Sequence, residues 1–159
     1  AFTANSIVDL KLSRNVTKIP QAAFSMNIRL REIEIPNTVT EIGQMAFAGA
    51  RLESLNIPAS VRKIGEKAFH LHHLTELTIP GTVKEIGDSA FEGTYKSLTL
   101  TSLKIEEGVE HIGKFAFKEG LRNPENCKSG PPSIQHWCNN SPCDDVQGDD
   151  YIRCKWRYS

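Results

Sequence analysis

An Ala-Phe pair returns through this chain at Phe2, Phe24, Phe47, Phe69, Phe91 and Phe117, at intervals of 22, 23, 22, 22 and 26 residues. Other apolar positions keep the same step, first Val16, Val39, Val61, Val83 and Val109, then Ile19, Ile42, Ile64, Ile86 and Ile112. Glycine follows that isoleucine at Gly43, Gly65, Gly87 and Gly113, and Pro20 takes its place in the first unit. A fixed period of this length is the mark of a solenoid and takes precedence over local propensity. Each unit offers about five large apolar side chains, worth roughly 1.5–3 kcal/mol apiece when buried, and it can bury them only against its neighbours.

Within a unit, Leu10/Leu12, Ile33/Ile35, Leu55/Ile57, Leu77/Ile79 and Leu103/Ile105 alternate with polar residues at period two, which predicts five short strands stacked in parallel. Pro36, Pro58 and Pro80 end three of them, since proline cannot donate to a sheet ladder. The Val-x-x-Ile-Gly-x-x-Ala-Phe stretch has apolar residues three or four apart, which predicts turns or short helices on the opposite side, with glycine permitting a tight bend.

The segments "IPNTVTEIGQMAF", "IPASVRKIGEKAF" and "IPGTVKEIGDSAF" carry a family likeness. Over about residues 1–121 the chain resembles the BspA-like leucine-rich repeat family, in about five units. It departs from the pattern at Ser13 and Pro20 in the first unit, at Glu106 in the fifth, and in about four extra residues around Glu92 to Leu98. The resemblance implies a curved leucine-rich repeat solenoid without a cofactor, in surface or secreted proteins that are often adhesins or host-interacting. Ala1-Phe2 reads as the tail of a repeat, so either further repeats upstream or self-association through this end is expected.

Nineteen basic and nineteen acidic residues cancel, which gives nucleic acid or an anionic membrane no electrostatic claim on the chain. No apolar run approaches the roughly 20 residues of a spanning helix, so no membrane insertion is expected. All four cysteines, Cys127, Cys138, Cys143 and Cys154, fall after residue 126. Residues 122–159 therefore read as a separate carboxy-terminal cap, in which an even cysteine count in a Pro/Asn/Ser-rich stretch favours two disulfides in an oxidising compartment. Zinc fits the Cys-x10-Cys-x4-Cys-x10-Cys spacing less well, and three disulfide connectivities stay open. Tyr151, Trp156 and Tyr158 alternate with basic residues; they suit either a docked cap edge or a small binding module. Asn15 and Asn139 begin glycosylation sequons in loops.

Catalytic signatures are missing: there is no nucleophile elbow and no phosphate loop, so a non-enzymatic protein is expected. "HLHHL" gathers His70, His72 and His73, read as imidazoles facing water with Leu71 and Leu74 docking the turn, and no metal site. "CDDVQGDD" lacks the acidic alternation of a calcium loop. What remains is the strand face, with Glu32, Glu34, Asn56, Glu76, Thr78 and Lys104 pointing outward, joined by Tyr95 in the insertion. These residues, with Tyr151, Trp156 and Tyr158, are the candidate partner-binding surface; the strand face has no aromatic side chain, so Tyr95 and the carboxy-terminal aromatics are the stronger candidates for a protein partner. With the family likeness, they lead to a secreted or cell-surface recognition or adhesion module for a protein or a matrix or cell-surface glycan. A structural spacer that self-associates through its amino-terminal end is the alternative.

Overall fold

Successive repeats pair in parallel along both faces of the coil. In the computed structural model, residues 2–93 and 100–118 are described, together with the backbone of Cys127–Lys128. The chain forms a parallel β-solenoid of about four turns. Two parallel sheets face each other across the core, one drawn from each half of the repeat.

The first sheet comes from the isoleucine half. It comprises β1 (Lys18–Ile19), β2 (Glu41–Ile42), β3 (Lys63–Ile64), β5 (Glu85–Ile86) and β7 (His111–Ile112), in the order β1-β2-β3-β5-β7. The second comes from the leucine half, with β4 (Glu76–Ile79), β6 (Ser102–Ile105) and β8 (Cys127–Lys128) in the order β4-β6-β8. In the earlier coils this face is reduced to single parallel bridges, Lys11 with Glu34 and Glu34 with Asn56. Of the five strands expected from period-two patterning, those at Leu77/Ile79 and Leu103/Ile105 form and pair in parallel, whereas the first three segments make only these bridges. β8 pairs Cys127 with Leu103, so the strand ladder takes one more step beyond the point at Leu121 where the sequence pattern stops.

The expected short helices are not found among the described residues; the stretch before each Ala-Phe is a two-residue strand followed by turns. Left-handed residues explain this. Ala22, Met45, Lys67, Ser89 and Phe115 stand immediately before an Ala-Phe pair with φ between 51° and 59°. Ala4, Met26, Gly49 and Leu71 repeat the conformation two residues after the phenylalanine. With these reversals, alternate amides leave their own turn: Ala22, Phe24 and Met26 donate to the carbonyls of Gln44, Ala46 and Ala48 in the next coil. A helix would spend those amides inside one coil, and the coils would lose a ladder.

The recurrent glycines serve a different purpose from the bend expected of them. None of Gly43, Gly65 and Gly87 has a positive φ. Instead, a Cβ on Gly65 would lie 2.6 Å from the amide nitrogen of Gln44 and 2.7 Å from the carbonyl carbon of Gly43, in the coil before. Gly43 and Gly87 have the same relation to the coils that precede them. Glycine is required here because backbone packs on backbone.

The phenylalanines form a spine. Phe2, Phe24, Phe47, Phe69, Phe91 and Phe117 stack face to face, with centroids 5.1–6.1 Å apart and ring planes within 17° of parallel. Val39, Val61 and Val83 and Ile42, Ile64 and Ile86 line the same core without measurable exposure. Phe2 continues this spine: its amide donates to the Ala23 carbonyl and its ring rests on Phe24.

Candidate functional site

Strand residues alternate in and out, so the inward Leu10, Ile33 and Leu55 form the floor of a surface whose walls are the outward residues on either side. Asp9, Lys11, Glu32, Glu34, Ser54 and Asn56 complete the lining of an open concavity of about 700 Å³ over the first three coils. Glu32, Glu34, Asn56, Glu76, Thr78 and Lys104 are all exposed, where the sequence placed them. Tyr95, Tyr151, Trp156, Tyr158, Asn139, Cys138, Cys143 and Cys154 lie outside the described residues, as does the side chain of Cys127. The expected disulfide-stapled cap falls there too. Asn15 is exposed in the loop after the first strand position, its amide donating to Ser13 Oγ at 3.3 Å.

Charge is distributed unevenly around the coil. On the isoleucine sheet, Lys18 reaches Glu41 at 2.8 Å, Lys63 reaches Glu85 at 2.9 Å and Lys84 reaches Glu110 at 2.8 Å. Lys18 holds the Glu41 carboxyl below its usual range, first by hydrogen bonding and then by charge. Glu85 raises Lys63 in the same order of causes. On the strand face, by contrast, Asp9, Glu32, Glu34 and Glu76 have no side-chain partner among the described residues. Lys104 is bound to Glu106 at 3.3 Å. Three of the lone carboxylates, Asp9, Glu32 and Glu34, line the concavity.

The histidine cluster departs from expectation. His72 is buried, 2% exposed, with its ring edge-on to Phe91. The Leu74 amide donates to Nδ1 at 3.1 Å, and Nε2 lies 3.1 Å from the Phe91 carbonyl oxygen. An amide can only donate and a carbonyl only accept, so the ring is fixed as the neutral tautomer with its proton on Nε2. Burial, the largest cause, lowers its pKa to about 4; the Phe91 carbonyl opposes this, and His73 and His70 reinforce it. Leu71 does not dock the turn but supplies one of its left-handed residues, with φ 65°. His70 and His73 are partly exposed, and both pKa values are lowered, burial being the first cause in each.

His72 and Asn27 stand at one offset, three residues after Phe69 and Phe24, where the second unit has Ala50. Asn27 is fully buried, and its Nδ2 donates to the carbonyls of Phe2 at 2.8 Å and Phe24 at 2.9 Å. Both polar side chains close backbone groups that the turn leaves open inside the core. Neither role was read from the sequence, although a polar residue at a position occupied elsewhere by alanine was the available signal. Among the described residues no group of histidine, cysteine and acidic side chains is placed to hold a metal ion, and no helix is long and apolar enough to cross a membrane.

The BspA type leucine-rich repeat region family model matches residues 1–122 in six copies. The fold is similar to the crystal structure of a leucine-rich repeat protein from Bacteroides ovatus, with a TM-score of 0.52 and 25% sequence identity over 70% of this chain. The chain spans 41% of that protein's length. No curated protein matches at a significant level.

Proposed function

We propose that this chain, which belongs to the BspA-type leucine-rich repeat family, is an extracellular or cell-surface recognition module that engages a protein or glycan partner through the strand face of its solenoid. The carrying observation is the contrast between its two sheets. The isoleucine sheet pairs lysine with glutamate from coil to coil, whereas Asp9, Glu32 and Glu34 stand unpaired around an apolar-floored concavity. Carboxylates without a partner are the groups left to meet an incoming one, and Leu10, Ile33 and Leu55 supply area to bury beneath it. Proteins of this repeat family typically serve as interaction modules without catalysis, which agrees with the absence of catalytic motifs from the sequence. Tyr95, Tyr151, Trp156 and Tyr158 would extend the surface if the cap lies beside it, aromatic side chains being strong binding anchors.

The test is capture of immobilised extracellular-matrix proteins and arrayed glycans by the chain and by a Glu32→Lys/Glu34→Lys variant. Selective capture that the double reversal reduces roughly tenfold or more supports the reading. Capture indifferent to the reversal, with the fold intact, removes the strand face from consideration. Intact mass under non-reducing conditions tests the compartment: a mass lowered by the hydrogens of two disulfides supports secretion, and alkylatable thiols count against it.

A further inference from the structure

Arg29, Arg51 and His73 each precede a buried leucine of one core column, Leu30, Leu52 and Leu74. The leucine turns inward, so the residue before it turns outward, and the three side chains fall on successive coils along one lateral edge. Backbone bonds fix the register: the Glu53 amide donates to the Arg31 carbonyl at 2.7 Å and the His73 amide to the Leu52 carbonyl at 2.9 Å. Arg31, on the other side of Leu30, is exposed and paired with Glu53. The guanidinium groups of Arg29 and Arg51 have no partner among the described residues.

This edge differs from the isoleucine sheet, where each lysine faces a glutamate one coil away. Here only Arg31 has such a partner, in Glu53; Arg29 and Arg51, in register on successive coils, carry the same sign. Arg51 and Arg31 both depress the pKa of His73, which burial has already lowered, while Glu53 acts weakly in the opposite sense. Positive charge therefore outweighs negative at the imidazole. Like charges in register are unfavourable unless something else supplies the counter-charge.

We propose that the Arg29–Arg51–His73 edge, flanked by Arg31, binds an anionic glycan, one bearing sulfate or carboxylate groups on successive sugar rings. Guanidinium suits such groups because its planar fork donates two hydrogen bonds to one oxyanion. Spacing favours a glycan over an acidic peptide. Parallel coils repeat about every 4.7–4.9 Å, whereas an extended peptide presents same-face side chains about 6.7 Å apart. A sugar ring is close to the coil repeat in length. The acidic strand face, with Glu32 next to Arg31 and Glu76 beyond, repels the same ligand and confines it to the edge. This surface is distinct from the concavity and does not depend on the strand-face reading.

The probe is a heparin octasaccharide at low salt, measured by calorimetry, with the His73 imidazole followed by NMR. The expected result is saturable binding that weakens as salt rises, an upward shift of the His73 titration, and a loss of about tenfold in Arg29→Ser/Arg51→Ser. Both arginines are exposed, so circular dichroism of that variant should match the parent. Lys18→Ser/Lys63→Ser, which removes paired cations from the other sheet, should change affinity less than about twofold. Absence of binding, an equal loss in the two double variants, or no loss in the arginine variant overturns the proposal. Binding of poly-L-glutamate as tight as that of the octasaccharide overturns the choice of a glycan.

Discussion

Acidification should loosen the third coil through His72. The folded ring accepts a hydrogen bond from the Leu74 amide at Nδ1 and donates its Nε2 N–H to the Phe91 carbonyl, so a second proton has no lone pair to occupy unless the hydrogen bond from Leu74 breaks. The folded pKa of about 4 lies below the reference value of 6.5 expected once the chain unfolds. Between those values the unfolded chain holds the extra proton and the folded chain does not, so stability rises with pH across the window. The contribution is complete above about pH 6.5 and is lost as pH falls toward 4. At 1.36 kcal/mol per pKa unit the whole shift is worth about 3 kcal/mol, with about 2 kcal/mol gone by pH 5. Urea midpoints of the parent and of His72→Asn, measured from pH 8 to pH 4, isolate this term. His70, His73 and the carboxylates titrate in both proteins and cancel in the difference. The parent should lose about 2 kcal/mol more than the variant between pH 8 and pH 5. An imidazole at position 72 that titrates near 6.5 by NMR, or equal pH slopes in the two proteins, would refute the reasoning.

Three further perturbations test the packing. Gly65→Ala places a methyl group 2.6 Å from the Gln44 amide nitrogen, with rigid backbone as the obstacle, and should lower stability by about 1–3 kcal/mol or more in urea melts. Lys67→Gly should do the reverse: a left-handed φ of 52° strains any residue with a Cβ, and its relief should raise stability by up to about 1 kcal/mol, read from the urea midpoint. Phe69→Ala removes a ring sandwiched between Phe47 and Phe91 and should cost about 3–5 kcal/mol, against less than about 1 kcal/mol for Phe2→Ala, whose ring is 59% exposed. Equal costs for the two would mean that the spine is not a continuous support.

The architecture was largely legible in the sequence because the solenoid is specified by repetition, and Phe24, Val39 and Ile42 recur with little variation. The conformation inside each turn was not. Ala22, Met45, Lys67 and Ser89 share a left-handed backbone yet have nothing chemical in common, since the conformation is imposed by hydrogen bonds to the next coil rather than by local preference. For the same reason the glycines misled: their repetition is real, but its cause lies in a neighbouring coil. Of the candidate site, the outward strand positions follow from period two, whereas the inward turn of His72 depends on a carbonyl nineteen residues ahead.

Exposed ion pairs contribute little to stability individually, so the lysine–glutamate ladder calls for another explanation. Its register supplies one. Lys18 pairs with Glu41, Glu41 with Lys63 and Lys63 with Glu85, alternating in sign along the sheet. Because the repeats are nearly identical in their apolar positions, a coil that skipped its neighbour would bury the same phenylalanine and isoleucine columns at little cost. It would also set Lys18 against Lys63, or Glu41 against Glu85, and like charges directly opposite in a sheet are unfavourable. The alternation distinguishes adjacent coils that hydrophobic packing treats as equivalent. Where like charges follow one another instead, at Asp9 and Glu32 on the strand face and at Arg29 and Arg51 on the edge, the charges do no such work within the fold. Those are therefore the surfaces where an external partner of opposite charge has most to gain.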